Sequence, residues 1–325
     1  MISVALCTYN GSRFLAEQLA SIAAQTRPVD EVVVCDDRSG DDTVDQIRHW
    51  ASGVPFPVRI EVNETNLGST KNFEKALSLC RGEVLFCCDQ DDVWRADKVA
   101  VLTAYLDAHP AKEAVFSDGL LIDDASRPTG STLFQQIEFT PARQAEWRAG
   151  RGYETLFGSY VVTGATLALR RRALSRLVPF PQAYAELIHD GWIALVLSLT
   201  DAIGFVEAPL ISYRQHTQQQ VGFGKKARWV TLRDRFSRPR AEKLQPLRTK
   251  TEHAGALLRL LEAVPGVPPE KLDALRQRLA HFRRRSTLPA TRWRRVGPVL
   301  QEWQSGRYRL SSPQWWKPLL GDLLE

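Results

Sequence analysis

The sequence of 325 residues lacks any apolar run approaching the ~18 residues needed for a membrane-spanning helix. It also lacks a CxxC pair, so a structural zinc site is not expected. Its five cysteines are odd in number and lie in apolar surroundings, which predicts reduced thiols instead of a disulfide framework. The N-terminus has no basic segment and begins with a strand-like run, so we expect no signal peptide and a cytoplasmic location.

Charge is distributed unevenly along the chain, although the net charge is only +6. Residues 1–225 contain 21 basic and 28 acidic residues, whereas residues 226–325 contain 22 basic and 9 acidic residues. The net charge therefore changes from −7 to +13, and such a shift indicates a boundary. We expect one domain over residues 1–224 and a basic helical extension over residues 225–325.

The first 120 residues alternate short apolar or β-branched runs with segments of helical periodicity. Strands are predicted at residues 2–7, 31–35, 57–62, 83–88 and 114–117. This alternation predicts an α/β fold with a mostly parallel sheet and right-handed crossovers. Later segments are predicted as loops over 123–152, a buried strand over 161–169, a helix over 188–199 and two short strands over 203–213.

Three carboxylates follow the fourth predicted strand directly, in the segment Asp89-Gln90-Asp91-Asp92. Because a buried strand excludes charge, these carboxylates are expected where the strand leaves the sheet. The carboxyl ends of parallel strands form the ligand crevice of open α/β sheets, and oxygen ligands suit Mg²⁺ or Mn²⁺. The alternative is an acidic turn that caps the next helix, and for Asp92 neither alternative is preferred.

Two more polar loops follow the first and second predicted strands. Thr8-Tyr9-Asn10 offers an aromatic ring on which a nucleobase can stack, although an ordinary strand–helix turn has the same composition. In the second loop we expect Asp37 to bind a ligand, for example the imide N–H of uracil or thymine, and Asp41 and Asp42 to cap a helix. The GxGxxG dinucleotide fingerprint is absent.

Together these motifs resemble the nucleotide-sugar half of family 2 inverting glycosyltransferases with the GT-A fold, over roughly residues 1–220. The segment Asp89-Gln90-Asp91-Asp92-Val93-Trp94, with Lys98 after it, is similar to rhamnosyltransferase-like bacterial members that build cell-surface polysaccharide. The resemblance implies a Rossmann-like GT-A domain with a mostly parallel sheet, followed here by a C-terminal α-helical extension.

The resemblance also implies roles for the residues of the three loops. Thr8, Tyr9, Asn10 and Asp37 would hold the donor nucleotide. Asp91 would bind the Mn²⁺ or Mg²⁺ ion that bridges the diphosphate, with Asp89 directed towards the ribose or sugar. Lys71 falls where the family often places a basic residue near the donor, and a solvated lysine at a helix start is the alternative.

Four further positions match the later part of the family pattern. Asp190, 99 residues after Asp91, follows a histidine where the family usually has glutamate. An acceptor hydroxyl needs a carboxylate to remove its proton, so Asp190 is expected to be the base, although it can also cap its helix. Gly164 would line the donor sugar or acceptor. Arg214 would pair with the diphosphate, and His216 is a candidate metal ligand, with a structural or exposed histidine as the alternative.

The implied activity is metal-dependent inverting transfer of a sugar, with rhamnose as the first expectation. The donor would be dTDP- or UDP-linked, and the acceptor a hydroxyl of a lipid-linked or polysaccharide glycan. The alternative is a non-catalytic scaffold that binds nucleotide sugars. Because Asp37, Asp89, Asp91 and Asp190 are all present, we favour the enzyme.

The basic extension combines arginine clusters with several tryptophans, namely Arg283-Arg284-Arg285, Arg292, Arg294, Arg295, Trp293, Trp303, Trp315 and Trp316. This composition suits an anionic membrane surface, so we expect peripheral contact with the inner face of the plasma membrane. The alternative is a helical addition with solvated arginines, or a homodimer surface. Nucleic-acid binding is not expected, because no nucleic-acid motif is present.

Overall fold

The computed structural model describes residues 1–181, 187–216, 239–311 and 314–324. The chain divides into two compact units, residues 1–222 and residues 223–325. The boundary predicted between residues 224 and 225 lies outside the described residues. None of the described helices is both long enough and apolar enough to cross a membrane.

Nine described strands of the first unit form one mixed sheet in the order β3-β2-β1-β4-β8-β6-β9-β5, with β7 beside β6. The strands are β1 (Ile2–Thr8), β2 (Glu31–Asp36), β3 (Val58–Val62), β4 (Val84–Cys88), β5 (Val93–Trp94), β6 (Ala114–Ile122), β7 (Pro128–Thr132), β8 (Ala168–Arg170) and β9 (Ile203–Arg214). Strands β1 to β4 pair with one another in parallel, whereas β8 is antiparallel to both β4 and β6. The α/β fold class predicted from the sequence is confirmed.

The helices of this unit fall mainly between the strands. They are α1 (Leu15–Ala23), α2 (Thr43–Ala51), α3 (Ser69–Leu79), α4 (Lys98–Ala108), α5 (Leu133–Gln136), α6 (Pro141–Arg148), α7 (Gly152–Leu156), α8 (Leu174–Leu177) and α9 (His189–Leu199), with 3-10 turns at Gly164–Thr166 and Arg171–Ala173. Strands β1, β2 and β4 are buried along their whole length. This explains why they read as continuous apolar runs instead of alternating ones.

Three segments differ from the sequence predictions. Residues 161–169 are not a continuous strand, because the chain makes a 3-10 turn at Gly164–Thr166 before the short β8. Residues 123–152 are not all loop, since Thr132 caps α5 in a capping box and Thr140 caps α6. The two strands predicted over residues 203–213 are one strand, whose register against β6 shifts at Pro209.

The described part of the second unit is helical, in agreement with the predicted extension. Its helices are α10 (Arg240–Glu262), α11 (Asp273–Ser286), α12 (Val296–Gln304), α13 (Arg307–Ser311) and α14 (Trp316–Leu324), with 3-10 turns at Pro269–Leu272 and Arg292–Arg295. Leu288, Val299 and Tyr308 form a small core. A buried ion network links the helices, since Glu302 lies 2.7 Å from His281 Nδ1 and accepts a hydrogen bond from Arg307 at the same distance.

Candidate active site

The loop after β4 holds the loop after β1 through the side chain of Gln90. The Gln90 amide accepts a hydrogen bond from Tyr9 N at 2.7 Å and donates one to Tyr9 O at 3.0 Å. The Tyr9 ring stays 39% exposed, so it is available for stacking. Sequence reasoning missed this role of Gln90, although the residue stands inside the quoted acidic motif.

Gly11 leaves room for this Gln90 clamp. A Cβ at residue 11 would lie 2.1 Å from Gln90 Oε1, so Gly11→Ala must displace the amide from Tyr9. We expect Gly11→Ala to lower the free energy of unfolding by at most about 1–3 kcal/mol, the contribution of the two Gln90–Tyr9 hydrogen bonds that the displaced amide would lose. We also expect Gly11→Ala/Gln90→Ala to be no less stable than Gln90→Ala alone, measured by urea unfolding in a double-mutant cycle. Additive losses would show that Gly11 is needed for another reason.

The polar residues of the first two loops bind mainly to each other. Thr8 Oγ1 and Ser39 Oγ donate to buried Asp36 at 2.7 and 2.6 Å. Asn10 has a φ of +47°, donates from its backbone N to Ser39 Oγ, and accepts from Gly40 N. Thr8 and Asn10 therefore shape the crevice in this structure, and their predicted contacts with a donor stay predictions.

Asp41 accepts a hydrogen bond from the backbone N of Thr43, the first residue of α2, at 3.1 Å. Asp41 thus satisfies an N–H of the first turn from the position before the N-cap. Asp42 occupies the N-cap position of α2, as predicted for one of these two residues, but its side chain makes no capping hydrogen bond.

Asp37 is 2% exposed and organises the chain before α3. Its carboxylate accepts hydrogen bonds from Asn63 Nδ2, Leu67 N and Gly68 N at 2.7–2.9 Å. A carboxylate has about four acceptor positions, so one remains for a nucleobase N–H. The predicted contact with the base stays a prediction.

The acidic cluster after β4 meets the end of β9. His216 Nε2 lies 2.7 Å from Asp91 Oδ2, and the imidazole packs against the Phe14 ring. Asp92 Oδ1 accepts from Arg214 N at 3.0 Å, whereas the buried Asp92 Oδ2 has no partner among the described residues. Asp92 is thus a buried support of the cluster and is not the cap of α4, whose N-cap position is Asp97.

Burial and mutual repulsion make ionisation of the carboxyl groups in the cluster unfavourable. Burial and then the carboxylates of Asp91 and Asp190 raise the pKa of Asp89 to about 8. Burial, Asp91 and Asp89 raise the pKa of Asp92 well above its ordinary value. The effect of Asp190 on Asp89 means that the cluster and the predicted base share one electrostatic environment.

The donor set fits a hard divalent cation. Asp91 and His216 present an oxygen and a nitrogen 2.7 Å apart, and Asp92 Oδ2 is an unsatisfied buried acceptor among the described residues. No group of three His, Cys, Asp or Glu residues in the described parts of the chain is arranged to hold a metal. Mg²⁺-like ions are commonly bound by one or two carboxylates together with substrate phosphates, so Asp91 would hold such an ion together with a bound diphosphate.

Lys98 places a fully buried ammonium group behind the cluster. Its Nζ donates to Ala165 O at 2.6 Å and lies 4.1 Å from the centre of the Trp94 ring. Burial lowers the pKa of Lys98 to about 8, although Cys88, Asp92 and Asp89 oppose this effect. Lys98 thus contacts the 163–166 segment and is affected by the charges of the cluster. Its position was quoted with the acidic motif, but no role was predicted for it.

Asp190 lies in the first turn of α9. Its Oδ2 accepts from Gly164 N at 2.8 Å, and its Oδ1 accepts from Gly191 N at 2.6 Å. Burial raises the pKa of Asp190 to about 6, although the backbone N–H donors lower it. Ile188 is the N-cap residue of α9, so the alternative that Asp190 is the N-cap is wrong.

His189 and Gly164 bring the start of α9 against the 163–166 segment. The His189 ring is 4% exposed and stacks on Phe73 at 3.9 Å, and burial lowers its pKa to about 3. A Cβ on Gly164 would lie 2.6 Å from His189 Nε2. Gly164 is therefore packed closely against His189 and Asp190, and its predicted contact with the donor sugar or acceptor stays a prediction.

The structure does not support direct pairing of Arg214 with a diphosphate. The side chain has no exposed surface and donates to Asp91 O, Ser126 Oγ and Glu17 Oε2 at 2.8–3.0 Å. Its charged head lies over the Phe14 ring. Because these protein groups hold the guanidinium, Arg214 braces the main chain at Asp91.

Lys71 and Tyr160 lie at the margin of the site. Lys71 Nζ pairs with the Glu74 carboxylate at 2.9 Å, and its predicted donor contact stays a prediction. Tyr160 is 41% exposed, and its OH accepts a hydrogen bond from Ile188 N at 3.2 Å. A Cβ on Gly191 would lie 2.6 Å from that OH. Nothing in the sequence marks Tyr160, because it precedes an irregular segment.

The sheet has parallel strands with polar loops at their carboxyl ends, and a short antiparallel strand, β8, joins its two halves. This arrangement agrees with the GT-A fold that the sequence predicts. Residues 3–177 match the model of the family described as "Glycosyl transferase family 2". The match covers more than half of the chain, and the chain belongs to this family.

Comparison with individual proteins agrees with this assignment. An uncharacterized protein of Mycobacterium tuberculosis is 30% identical over 220 residues, which cover 66% of this chain and 59% of the relative. The match thus spans about three fifths of the length of that curated relative.

Two solved structures share the fold. Staphylococcus aureus TarS (residues 1–349) in complex with UDP-GlcNAc aligns with a TM-score of 0.56 at 15% identity, over 99% of this chain and 88% of TarS. The mannosyltransferase PcManGT from Pyrobaculum calidifontis, in complex with GDP-Man and Mn²⁺, aligns with a TM-score of 0.51 at 18% identity, over 99% and 85%. At these identities the likeness establishes the fold alone.

Proposed function

We propose that this family 2 glycosyltransferase is a metal-dependent inverting enzyme. It would transfer a sugar from a nucleoside diphosphate donor to a hydroxyl of a lipid-linked or polysaccharide acceptor in cell-surface glycan synthesis. The main support is the convergence of Asp89, Asp91 and His216 with Asp190, which lies close enough to raise the pKa of Asp89.

Donor binding would use the loops after β1, β2 and β4. The exposed Tyr9 ring can stack on the base, and the remaining acceptor position of Asp37 can bind the N3–H of uracil or thymine. Asp91 and His216 would hold Mn²⁺ or Mg²⁺. When bound, such an ion supplies Lewis-acid stabilisation of the departing diphosphate.

Asp190 would act as the general base. A pKa of about 6 leaves the carboxylate ionised near neutral pH and still basic enough to accept a proton. The acceptor hydroxyl gives its proton to Asp190 as its oxygen bonds to the anomeric carbon, while the bond from that carbon to the diphosphate breaks. This single displacement inverts the anomeric configuration. His189, with a pKa of about 3, stays neutral and does not compete for the proton.

The donor sugar is proposed to be rhamnose, carried by dTDP, because the 89–94 motif resembles rhamnosyltransferase-like enzymes. A UDP-linked sugar is the second candidate, since Asp37 can serve uracil as well as thymine. The two structural neighbours were solved with UDP-GlcNAc and GDP-Man, so a donor panel should include both.

The second unit is proposed to make peripheral contact with the membrane. Trp316, Leu320 and Leu324 recur every four residues along α14 and are 50%, 44% and 52% exposed. Leu319 and Leu323 lie on the side of α14 that packs against the small core. An exposed apolar stripe in a region of net charge +13 is typical of helices that lie on anionic membranes.

A donor panel tests the enzymatic proposal. The purified protein is incubated with dTDP-rhamnose, UDP-GlcNAc, UDP-glucose or GDP-mannose, with Mn²⁺ or with EDTA, and its Tm is measured. We expect one donor to raise Tm by several degrees only with the metal, since a ligand at 100 times its Kd stabilises by about 2.7 kcal/mol. A protein that no donor stabilises in either buffer would contradict the proposal.

A further inference from the structure

The second unit contains a cavity that the transferase mechanism does not use. It has a volume of about 460 Å³, which lies in the range of small-molecule sites. Five cationic side chains and only two carboxylates line it. The cations are Arg240, Lys243, Arg285, Arg295 and Lys317, and the carboxylates are Glu242 and Asp322.

The protein itself offsets little of this positive charge. Arg285 forms an ion pair with Asp322 at 2.6 Å, and Tyr308 OH donates to the same carboxylate at 2.5 Å. Among the described residues, no ion pair joins the other four cations to a carboxylate. Asp322 is thus already occupied, and the cavity keeps a net positive charge.

Two of the arginines are held in place by backbone carbonyls. Arg295 is 4% exposed and donates to Pro289 O and Ala290 O, each at 2.7 Å. Arg240 donates to Leu288 O in the same stretch. Burial and then the charges of Arg240 and Arg292 lower the pKa of Arg295. These fixed like charges, brought close together, would be stabilised by a bound anion.

We infer that this cavity binds a phosphate-bearing anion, a phosphate or diphosphate ester with an apolar substituent. Lys243 and Lys317 can contact a phosphate directly as mobile point charges. Arg285 and Arg295, whose guanidinium groups are already hydrogen-bonded to Asp322 and to backbone carbonyls, would contribute mainly positive charge. Leu244, Leu247 and Leu288 line the same cavity and can contact the apolar part. The source is either a lipid headgroup or a soluble phosphate ester, and only the lipid source rests on the proposed membrane contact.

Binding is tested on the full chain in EDTA at physiological ionic strength, so that no metal supports binding in the first unit. One arm titrates inorganic pyrophosphate and follows Tm and calorimetric heat. The other measures co-sedimentation with vesicles of phosphatidylcholine alone or of equimolar phosphatidylcholine and phosphatidylglycerol. The test variant is Lys243→Gln/Lys317→Gln, because both lysines line the cavity and are at least partly exposed. The matched control is Arg248→Gln/Arg259→Gln, which removes two exposed cations of the same unit outside the cavity.

We expect the wild type and the control to bind pyrophosphate, the anionic vesicles or both. We expect the test variant to bind at least about tenfold more weakly, since a charge-assisted hydrogen bond contributes roughly 1.5–3 kcal/mol. Pyrophosphate binding identifies a soluble-ester site, and binding to anionic vesicles alone identifies the headgroup source. Equal weakening in both variants would overturn the inference, because total charge would then explain binding. No binding in either arm would overturn it as well.

A metal-dependent donor shift in Tm that persists in the test variant shows that the first unit is intact. Failure of this inference is therefore distinct from failure of the transferase proposal.

Discussion

Asp190→Asn is expected to lower kcat for sugar transfer by roughly 10²–10⁴-fold, the usual contribution of a positioned general base. The asparagine side chain keeps an oxygen that can accept from Gly164 N, but it cannot take a proton from the acceptor. Donor binding should therefore persist while turnover is lost. Initial rates of nucleoside diphosphate release measure turnover, and the donor-induced shift in Tm measures donor binding.

The pH profile provides an independent test of the same residue. Because the base must be ionised and its pKa is about 6, kcat/KM of the wild type should rise with pH through that value and then level off. The variant should lack this rise. Asp45→Asn, which alters a carboxylate that is 80% exposed, is the matched control and should retain wild-type rates. If Asp190→Asn kept activity within a few-fold of wild type, the base would have to be another group.

Asp91→Asn is expected to abolish the metal-dependent part of donor binding. The substitution removes the charge of the carboxylate 2.7 Å from His216 Nε2, and a direct ligand should matter at least as much as the ~10–100-fold typical of outer-shell partners. We therefore expect Mn²⁺ affinity in the presence of nucleoside diphosphate to fall by at least about 100-fold. Titration followed by Mn²⁺ electron paramagnetic resonance measures this change directly.

His216→Ala separates two roles of the imidazole. As a metal ligand, its loss should weaken Mn²⁺ binding. If the imidazole only packs against the Phe14 ring, its loss should lower Tm and leave Mn²⁺ affinity unchanged.

The control for the loss of charge in Asp91→Asn is Asp124→Asn, which alters a partly exposed carboxylate paired with Arg13. Unaltered Mn²⁺ binding by Asp91→Asn would remove Asp91 from the metal site.

The buried cations near the acidic cluster connect these two predictions. Arg214 braces the main chain at Asp91. The buried Lys98 donates to Ala165 O in the segment that contacts Asp190. Burial lowers the pKa of Lys98, whereas the charges of Asp92 and Asp89 raise it. The cluster and the base are therefore coupled through Lys98, by charge on one side and by a hydrogen bond on the other. Such linkage can keep the reacting groups in register across the crevice.

The sequence alone determined the strands and helices of the first 120 residues, except for the short β5 (Val93–Trp94), and the position of the acidic cluster. Strands β1, β2 and β4 are covered on both faces, so each had to be a continuous apolar run. Charged side chains are confined to the ends of such strands, as Glu31 and Asp36 are in β2, so Asp89 and Asp91 had to follow β4. Local sequence encodes both features because both depend on burial of neighbouring residues.

The tertiary structure alone decided which side chains meet. Residues 161–169 are as apolar as a strand, yet they turn at Gly164 because Asp190, 26 residues later, accepts the Gly164 N–H. Arg214 was expected to face a ligand, and no role was predicted for Lys98. Both side chains are buried by contacts with residues far away in the sequence. Such pairings depend on how the strands and helices pack together, and hydrophobic periodicity does not indicate which residues far apart in the chain will be in contact.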